Sequence, residues 1–222
     1  MTLRSETKHR ILVVDDHPLV RESLATLFNH QPDMEVCGLA EDVAGALALV
    51  ARVHPNVAIV DLALKASSGL DLIKELRLHH PAIHVLALSM HEERDYAERA
   101  LRAGARAYIA KREATDRIVA AVRTVTRGEL YASPEVFAQL AERWVGRPPL
   151  ATTSPVETLS DREHEIFRLL GQGWATSRIA TELGLSRKTV QSYCARIKEK
   201  LVLKNATELL RAAVQWLERG PT

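Results

Sequence analysis

The stretch that decides the fold is "NVAIVDLALKASSG", residues 56–69. Its apolar run "VAIV" contains no alternating polar residue, which is typical of a strand buried on both faces of a parallel sheet. Asp61 closes the run, and Gly69 follows eight residues later. A carboxylate at the end of such a strand points into the crevice at the carboxyl edge of the sheet, where α/β folds bind ligands. Taken alone, Asp61 is explained more simply as a turn residue, so a functional site requires other residues that converge on it.

The same pattern recurs through the first part of the chain. Further short apolar runs lie at 11–15, 35–40, 83–89 and 105–110. Stretches with helical spacing of apolar residues follow the five runs, at 18–28, 43–53, 69–78, 94–104 and 115–125. Five strands that alternate with five helices predict an α/β doubly wound, five-stranded parallel sheet, and we expect the strand order 2-1-3-4-5.

Length and composition set the bounds on the protein class. A chain of 222 residues is long enough for two small domains, each with its own core. No apolar run approaches membrane-spanning length, and the start "MTLRSETKHR" lacks the apolar core of a signal peptide. Cys37 and Cys194 lie far apart and form no metal-ligand spacing. We therefore expect a reduced, cytoplasmic protein with no membrane partner.

The second part of the chain differs from the first in its pattern. Residues 8–127 are predicted as the α/β domain, and 128–155 as a linker that contains a short helix and the exposed stretch "GRPPLATTSP". Residues 156–222 show helical spacing throughout and predict an all-α domain of four helices. From Pro155 onward the chain carries 11 Lys and Arg against 8 Asp and Glu, a weak basic surplus.

Several polar side chains follow the predicted strands and converge on one edge of the sheet. Asp15 and Asp16 follow the first strand, which lies beside the strand that ends in Asp61. Three carboxylates in one corner repel each other unless a cation is bound, and hard oxygen ligands in an open site suit Mg²⁺. The fourth strand ends in Ser89, and Lys111 follows the fifth. A carboxylate, a metal, a hydroxyl and an ammonium are the groups that phosphoryl transfer needs.

In this order and on these strands, the set of residues resembles the receiver domain of bacterial response regulators, over residues 10–127. The resemblance implies that Asp61 accepts a phosphoryl group. It further implies that Mg²⁺ is held by carboxylates and one backbone carbonyl, from Asp15, Asp16, Asp61 and Ala63.

The same resemblance assigns the remaining residues of this edge. Ser89 would follow the phosphoryl oxygens, and Lys111 would pair with them. Tyr108 would be the aromatic side chain that moves with Ser89. Packing within the sheet is an equally good explanation for Tyr108, since a buried aromatic side chain contributes a large apolar area.

The second part contains a helix-turn-helix pattern in "SRIATELGLSRKTVQSYCARIKEKL", residues 177–201. Ala180 permits a close helix crossing, Gly184 supplies the turn, and Val190 anchors the second helix. On that second helix, one face is apolar and is predicted to lie in the core, with Val190, Cys194, Ile197 and Leu201.

The opposite face of the second helix carries Lys188, Gln191, Ser192, Ala195 and Arg196. Cations beside short polar and small residues suit a helix in the major groove of DNA, because the charges meet phosphates while Gln or Ser contacts base edges. A solvated helix face is the usual explanation of such a stripe. The turn and the four-helix context favour DNA binding here.

Residues 156–217 resemble the LuxR-type, or NarL/FixJ-type, DNA-binding domain in "LSDREHEIFRLLGQG", "IATELGLSRKTV" and "KLVLKNATELLRAAV". The resemblance implies that Gln191, Ser192 and Ala195 face the groove. It implies backbone contacts from Lys188, Thr189 and Arg196. Arg178 stands where this family often has Glu, and it adds a cation to the first helix of the motif.

Together the two resemblances predict a transcription regulator of a two-component system. A sensor histidine kinase would phosphorylate Asp61 with Mg²⁺, which would promote homodimerisation and binding to an inverted repeat in double-stranded DNA. The chain would be no enzyme beyond slow autodephosphorylation. One alternative is a haloacid-dehalogenase-type phosphatase, but that chemistry needs a carboxylate two residues after the nucleophile, where Ala63 stands. Another is a regulator controlled by a protein partner without phosphorylation.

Overall fold

The computed structural model describes residues 8–64, 68–89, 93–112, 115–134, 136–138 and 155–219. The chain divides into two compact units, Met1–Gly146 and Arg147–Thr222. Most of the second half of the predicted linker, 128–155, where its short helix is expected at 134–144, lies outside the described residues, as does all of 146–155 except Pro155.

The first unit is built on one parallel sheet. Its strands are β1 (His9–Val14), β2 (Met34–Ala40), β3 (Val57–Asp61), β4 (His84–Ser89) and β5 (Ala107–Ala110). Their order is β2-β1-β3-β4-β5 and every pairing is parallel, which confirms the predicted topology. All five strands therefore end at the same edge, and the ends of β1, β3 and β4 are adjacent.

Helices cover both faces of this sheet. They are α1 (Pro18–Asn29), α2 (Val43–Val53), α3 (Gly69–His79), α4 (Glu93–Ala103) and α5 (Thr115–Thr126). Successive residues of a strand point to opposite faces, so Ile11 packs with Phe28 and Val122, whereas Leu12 packs with Val50 and other residues of the opposite core. The unalternating apolar runs of the sequence follow from this two-sided burial.

The chain after α5 continues along the edge of the sheet. The Tyr131 N–H donates to the carbonyl of Arg106 at 2.9 Å, and the Tyr131 carbonyl accepts from the Tyr108 N–H at 3.2 Å. Val136 is 3% exposed and lies in the same core as Leu12. This part of the segment predicted as a linker therefore packs against the first unit.

The described residues of the second unit form helices joined by turns, with no strand among them. A short 3-10 turn at Pro155–Thr158 precedes α6 (Asp161–Gly171), α7 (Thr176–Glu182), α8 (Arg187–Lys200) and α9 (Ala206–Arg219). These four helices confirm the predicted all-α class. A Cβ atom on Gly171 would lie 2.6 Å from the carbonyl oxygen of Ala213, so the end of α6 requires glycine to cross close to α9. No described helix of either unit has the length and apolar character needed to cross a membrane.

Glu163 belongs to a capping box at the start of α6 and also contacts the end of α8. The Ser160 Oγ accepts from the Glu163 N–H, and Glu163 Oε2 accepts from the Ser160 N–H at 2.8 Å and from Lys200 Nζ at 2.7 Å. Burial alone would raise the pKa of Glu163, but the hydrogen bonds from Lys200 and Ser160 outweigh it and hold that pKa below its usual value. The ionised carboxylate thus fixes α8 relative to α6 at neutral pH.

Two turns that flank α8 place a residue in the left-handed backbone region. Gly184, in the turn that enters α8, has φ +62°, and nothing lies within 4 Å of the position its Cβ would take. Val202, which follows α8, has φ +55° and is 87% exposed. A β-branched residue is strained in this region, and Val202 gains little packing in return.

These two positions predict opposite effects of substitution. Val202→Gly should raise the free energy of unfolding by about 0.5–1 kcal/mol, since relief of the left-handed strain exceeds the added chain entropy. Gly184→Ala should lower it by about 1 kcal/mol, although the space for a methyl group exists. Urea unfolding followed by tryptophan fluorescence measures both. Destabilisation by Val202→Gly would contradict the assignment of strain.

Candidate functional site

The carboxyl edge of the sheet collects the polar residues that the sequence placed at strand ends. Asp61 ends β3, Ser89 ends β4, and Asp15 directly follows β1; each is at most 1% exposed. Lys111 directly follows β5. They meet because these parallel strands end at one edge and β1, β3 and β4 are adjacent.

Lys111 links the two buried carboxylates. Its Nζ donates to Asp15 Oδ2 at 2.6 Å and to Asp61 Oδ2 at 2.8 Å. The Lys111 backbone N–H donates to the Ser89 carbonyl at 2.7 Å, which fixes the start of the lysine side chain beside the end of β4. The ammonium therefore neutralises charge that would otherwise be buried without a partner.

Burial and the neighbouring opposite charge have opposing effects on the pKa values of Asp61 and Lys111. Burial raises the pKa of Asp61 and the Asp15 carboxylate adds to the rise, while Lys111 only partly offsets them. Burial would lower the pKa of Lys111, but the Asp61 and Asp15 carboxylates outweigh burial and raise that pKa. Lys111 is thus a fixed positive charge, and Asp61 is a carboxylate that gains from any further cation.

The same edge has the donor set for a divalent cation. One ligand atom each from Asp15, Asp16, His17 and Asp61 lie within 4.8 Å of one another. Carboxylate oxygens are the ligands that Mg²⁺ prefers, and close carboxylates favour a bound cation electrostatically. These residues therefore fit Mg²⁺. Sequence reasoning did not include His17 in this set.

The loop after Asp61 is fixed by backbone contacts. The Ala63 N–H donates to Asp61 Oδ1 at 3.2 Å, and the Leu62 N–H donates to the Leu88 carbonyl at 3.0 Å. The Asp61 side chain is thereby held on one oxygen by Lys111 and on the other by the chain that follows it.

Gly69 is required because it packs directly on this loop. A Cβ atom there would lie 2.1 Å from the Asp61 carbonyl oxygen and 2.7 Å from the Leu62 Cα. The Gly69 N–H also donates to the Leu62 carbonyl at 3.2 Å. Lack of a side chain, rather than an unusual backbone conformation, thus lets α3 begin against the end of β3.

Gly69→Ala should therefore distort the end of β3 and lower the free energy of unfolding by about 2 kcal/mol or more, because a backbone clash cannot be relieved by a rotamer change. Gly45→Ala is the matched control, since its nearest neighbour is the side-chain Oδ1 of Asp42 at 3.2 Å. Urea unfolding followed by circular dichroism measures both variants. Equal, small effects would show that the loop after Asp61 can move.

Tyr108 lies inside the first unit. It is 1% exposed and belongs to the core that also contains Leu12, Tyr96 and Ala100. Packing in the core accounts for the position of this side chain. The switch role implied by the resemblance stays a prediction.

The second candidate surface is the outer face of α8. Val190 and Ile197 are fully buried and Cys194 is half-buried, as the apolar face requires. On the opposite face the structure exposes every residue that the spacing had grouped there, namely Lys188, Gln191, Ser192, Ala195 and Arg196.

Three hydroxyls on or near this face already have hydrogen-bond partners. Ser186 caps α8 by accepting from the Thr189 N–H at 3.0 Å, and its Oγ lies 2.7 Å from Thr189 Oγ1. Ser192 Oγ donates to the Lys188 carbonyl one turn earlier, at 3.0 Å. Thr189 therefore contributes to the helix start as well as to the predicted DNA contact.

A third feature lies where α7 meets the start of α8. The Arg178 guanidinium stacks on the Trp174 ring, 3.7 Å from its centroid. A cavity of about 400 Å³ there is lined by Ser177, Arg178, Ala180, Thr181, Leu185 and Arg187. Sequence reasoning included Arg178 but missed Trp174 and Arg187. Trp174 stands two residues before α7, and an aromatic residue just ahead of a helix with an arginine in its first turn is the signal that could have found the stack.

Two family models match the chain in these two units. The response regulator receiver domain matches residues 11–123, and the bacterial regulatory proteins of the luxR family match residues 157–213. The chain belongs to the LuxR family of two-component response regulators. As a member of this family it carries a receiver domain and a LuxR-type DNA-binding domain, and it is not a typical enzyme.

Known family members match over most of the chain. The oxygen regulatory protein NreC of Staphylococcus carnosus (strain TM300) is 35% identical over 210 residues, which are 93% of this chain and 97% of NreC. The crystal structure of a LuxR-family two-component response regulator from Aurantimonas sp. SI85-9A1 has a TM-score of 0.58 and 30% identity, and covers 63% of this chain and 99% of that one. The response regulator ChrA of a heme-sensing two-component system has a TM-score of 0.50 and 29% identity, and covers 94% of this chain and 97% of ChrA.

Proposed function

We propose that this response regulator controls transcription by accepting a phosphoryl group at Asp61 from a sensor histidine kinase, with Mg²⁺ as cofactor. The observation that carries the proposal is that Lys111 forms buried ion pairs with both Asp15 and Asp61. An ammonium held against a nucleophilic carboxylate is the arrangement that phosphoryl transfer uses to neutralise developing charge.

In the proposed reaction, an Asp61 oxygen attacks the phosphorus of a phosphohistidine, so that a P–O bond forms and the P–N bond breaks. The Lys111 ammonium and the Ser89 hydroxyl would then bind oxygens of the transferred group. Mg²⁺, held by Asp15, Asp16, Asp61 and the Ala63 carbonyl, would supply further positive charge. Slow hydrolysis of the acyl phosphate would return the protein to its starting state.

Two alternatives are less well supported. A phosphatase of the haloacid-dehalogenase type needs a general acid two residues after the nucleophile, and Ala63 has no group that can transfer a proton. A regulator controlled without phosphorylation would have no need of Lys111 bonded to both carboxylates, a pair whose burial costs desolvation energy.

The first test is phosphorylation by a small phosphodonor. We expect a slower band in a mobility-retardation gel for the full chain with Mg²⁺, and no slower band with EDTA or in Asp61→Asn. Ser68→Asn serves as a control in the same part of the chain. A persistent, acid-stable shifted band in Asp61→Asn would place the phosphoryl group elsewhere.

We further propose that α8 lies in the major groove of double-stranded DNA. Gln191, Ser192 and Ala195 would face base edges, while Lys188, Thr189 and Arg196 would contact phosphates. Arg178 would contact a phosphate from α7. The exposed side chains of Lys188, Gln191 and Arg196 on one helix face support this orientation.

Two substitutions separate the proposed roles on α8. Lys188→Ala should weaken binding similarly on all sequences and lower the slope of log affinity against log salt by about 1, since one phosphate contact is lost. Gln191→Ala should instead relax preference at one base position, at a cost of about 1–3 kcal/mol. Fluorescence anisotropy on specific and random DNA measures both. Equal losses on both DNAs for Gln191→Ala would mean that another helix face reads the bases.

Phosphorylation must then change how the protein meets DNA. A phosphoaspartate adds localised negative charge beside Ser89 and Lys111, which favours a receiver state that draws both toward it. We propose that this state forms a homodimer whose two recognition helices meet successive half-sites of an inverted repeat, within the cytoplasm.

Light scattering tests the proposed pairing. The phosphorylated full chain should have twice the mass of the unphosphorylated chain when bound to an inverted repeat, and Asp61→Asn should not respond to the phosphodonor. A mass that stays monomeric both on and off DNA would rule out pairing.

A further inference from the structure

A stacked pair of side chains lies where α7 meets the start of α8. The Arg178 guanidinium lies over the Trp174 ring, 3.7 Å from its centroid. Trp174 is half-buried and packs against the core of the second unit, and its backbone N–H donates to the Leu169 carbonyl at 3.1 Å. Arg178 itself is exposed. The indole ring is therefore a fixed surface that orders a long side chain in contact with solvent.

Arg187 brings a second guanidinium to the same place. Arg178 and Arg187 both line the cavity of about 400 Å³, beside the hydroxyl residues Ser177 and Thr181. Among the residues that the structure describes, neither arginine forms an ion pair with a carboxylate. Two cations that face one cavity repel each other, and a bound anion removes this repulsion. The lining therefore favours a negatively charged ligand.

The place of Arg187 in its helix points to an anion as well. Arg187 is the first residue of α8, and the first turn of this helix contains no acidic residue. The N-terminus of a helix carries a partial positive charge, so a guanidinium gains nothing from the helix there. Ser186 already caps α8 through the Thr189 N–H, and the Arg187 side chain takes no part in that cap. An anion beside the helix start accounts for a cation at this position.

The ligand that best fits the neighbouring surface is a backbone phosphate of DNA. The cavity adjoins the start of α8, whose outer face exposes Lys188, Gln191 and Arg196. A guanidinium presents its N–H groups in a planar fork that matches the oxygens of a phosphate. A side chain that is already ordered also loses less conformational entropy when it binds.

We propose that Trp174 is a positioning residue for DNA binding: its ring holds Arg178 so that Arg178 and Arg187 together bind one phosphate of the DNA backbone. The inference rests on the proposed placement of α8 in the major groove. It adds Arg187 as a phosphate contact and names the residue that orders Arg178. Phosphate contacts fix the register of a protein on DNA, so this pair would set how α8 enters the groove.

A purely structural role for Trp174 makes a different prediction. If the ring serves only to pack against the core, Trp174→Leu lowers the free energy of unfolding, and the protein that remains folded binds DNA as before. If the ring positions Arg178, Trp174→Leu weakens DNA binding by the folded protein. That loss then depends on Arg178 and is absent when Arg178 has already been replaced by alanine.

The experiment measures the affinity of the full chain for random-sequence double-stranded DNA by fluorescence anisotropy at several salt concentrations. We expect Arg178→Ala and Arg187→Ala each to lower the affinity about threefold to tenfold, and the slope of log affinity against log salt by about 1. Trp174→Leu should lower the affinity about threefold, and Trp174→Phe should restore most of it, because a phenyl ring also attracts a cation. Arg211→Ala, at an exposed position of α9, is the control for the loss of one positive charge.

The double variant Trp174→Leu/Arg178→Ala separates positioning from packing. It should bind DNA no more weakly than Arg178→Ala alone. An additional loss in the double variant, or an unchanged affinity of Trp174→Leu, would overturn the positioning role. Affinities of Arg178→Ala and Arg187→Ala equal to that of Arg211→Ala would overturn the phosphate contact.

Nuclear magnetic resonance of the arginine side chains provides a direct readout that does not require Trp174→Leu to fold. In the wild-type chain, the ring current of the indole should shift the Arg178 Nε–H signal upfield. The Nε–H signals of Arg178 and Arg187 should both move when DNA is added. Inorganic phosphate at the same concentration is the second arm. If inorganic phosphate moves both signals and DNA does not, the cavity takes free phosphate and the proposal is wrong.

The same measurements separate this inference from the proposed function. If Lys188→Ala weakens DNA binding while Trp174→Leu and Arg187→Ala do not, α8 binds DNA and only the role of this cavity is wrong. If none of these variants alters DNA binding, the proposed placement of α8 fails, and the inference fails with it.

Discussion

The contact between Lys111 and the carboxylates of Asp15 and Asp61 is the interaction on which the receiver unit depends. It joins the ends of β1 and β3 to the residue that follows β5, across the whole width of the functional edge. Buried carboxylates without this ammonium would repel each other in a poorly solvated corner. The contact therefore stabilises three charged groups that lie close together. The proposed phosphorylation of Asp61 would change the negative charge that faces Lys111.

A related constraint holds the DNA-binding unit together. Glu163 accepts hydrogen bonds from Ser160 at the start of α6 and from Lys200 at the end of α8. Because its pKa is held below the usual value, this contribution to stability is present above the pKa of the unfolded chain and is lost as pH falls through the lower folded value. The proposed recognition helix is thus positioned by an ionised group on its inner side, which leaves its outer face available for DNA.

Two further side chains lie at the edges of these two sites. His17 stands beside the receiver carboxylates, and Arg178 stacks on Trp174 beside the cavity at the start of α8. Each adds a group with defined orientation without changing the fold beneath it. Side chains at such positions can vary while the core of each unit stays the same.

The sequence by itself determined the fold class, the strand order and the grouping of polar residues. Unalternating apolar runs predict strands buried on both faces, and β3 begins and ends at the predicted residues. In a parallel sheet, chain order also fixes which edge Asp61, Ser89 and Lys111 share. The spacing of apolar residues on α8 likewise predicted which face is buried, because residues three or four positions apart lie on the same side of a helix.

Only the tertiary structure decided which atoms touch. The reason for Gly69 is a backbone approach between α3 and the end of β3, and no local pattern reveals a clash between segments eight residues apart. The left-handed backbone of Val202 is imposed by the chain's return from α8 to α9, against the preference of the residue itself. Periodicity specifies directions along one element, whereas such contacts depend on distances between elements that only the packed core sets.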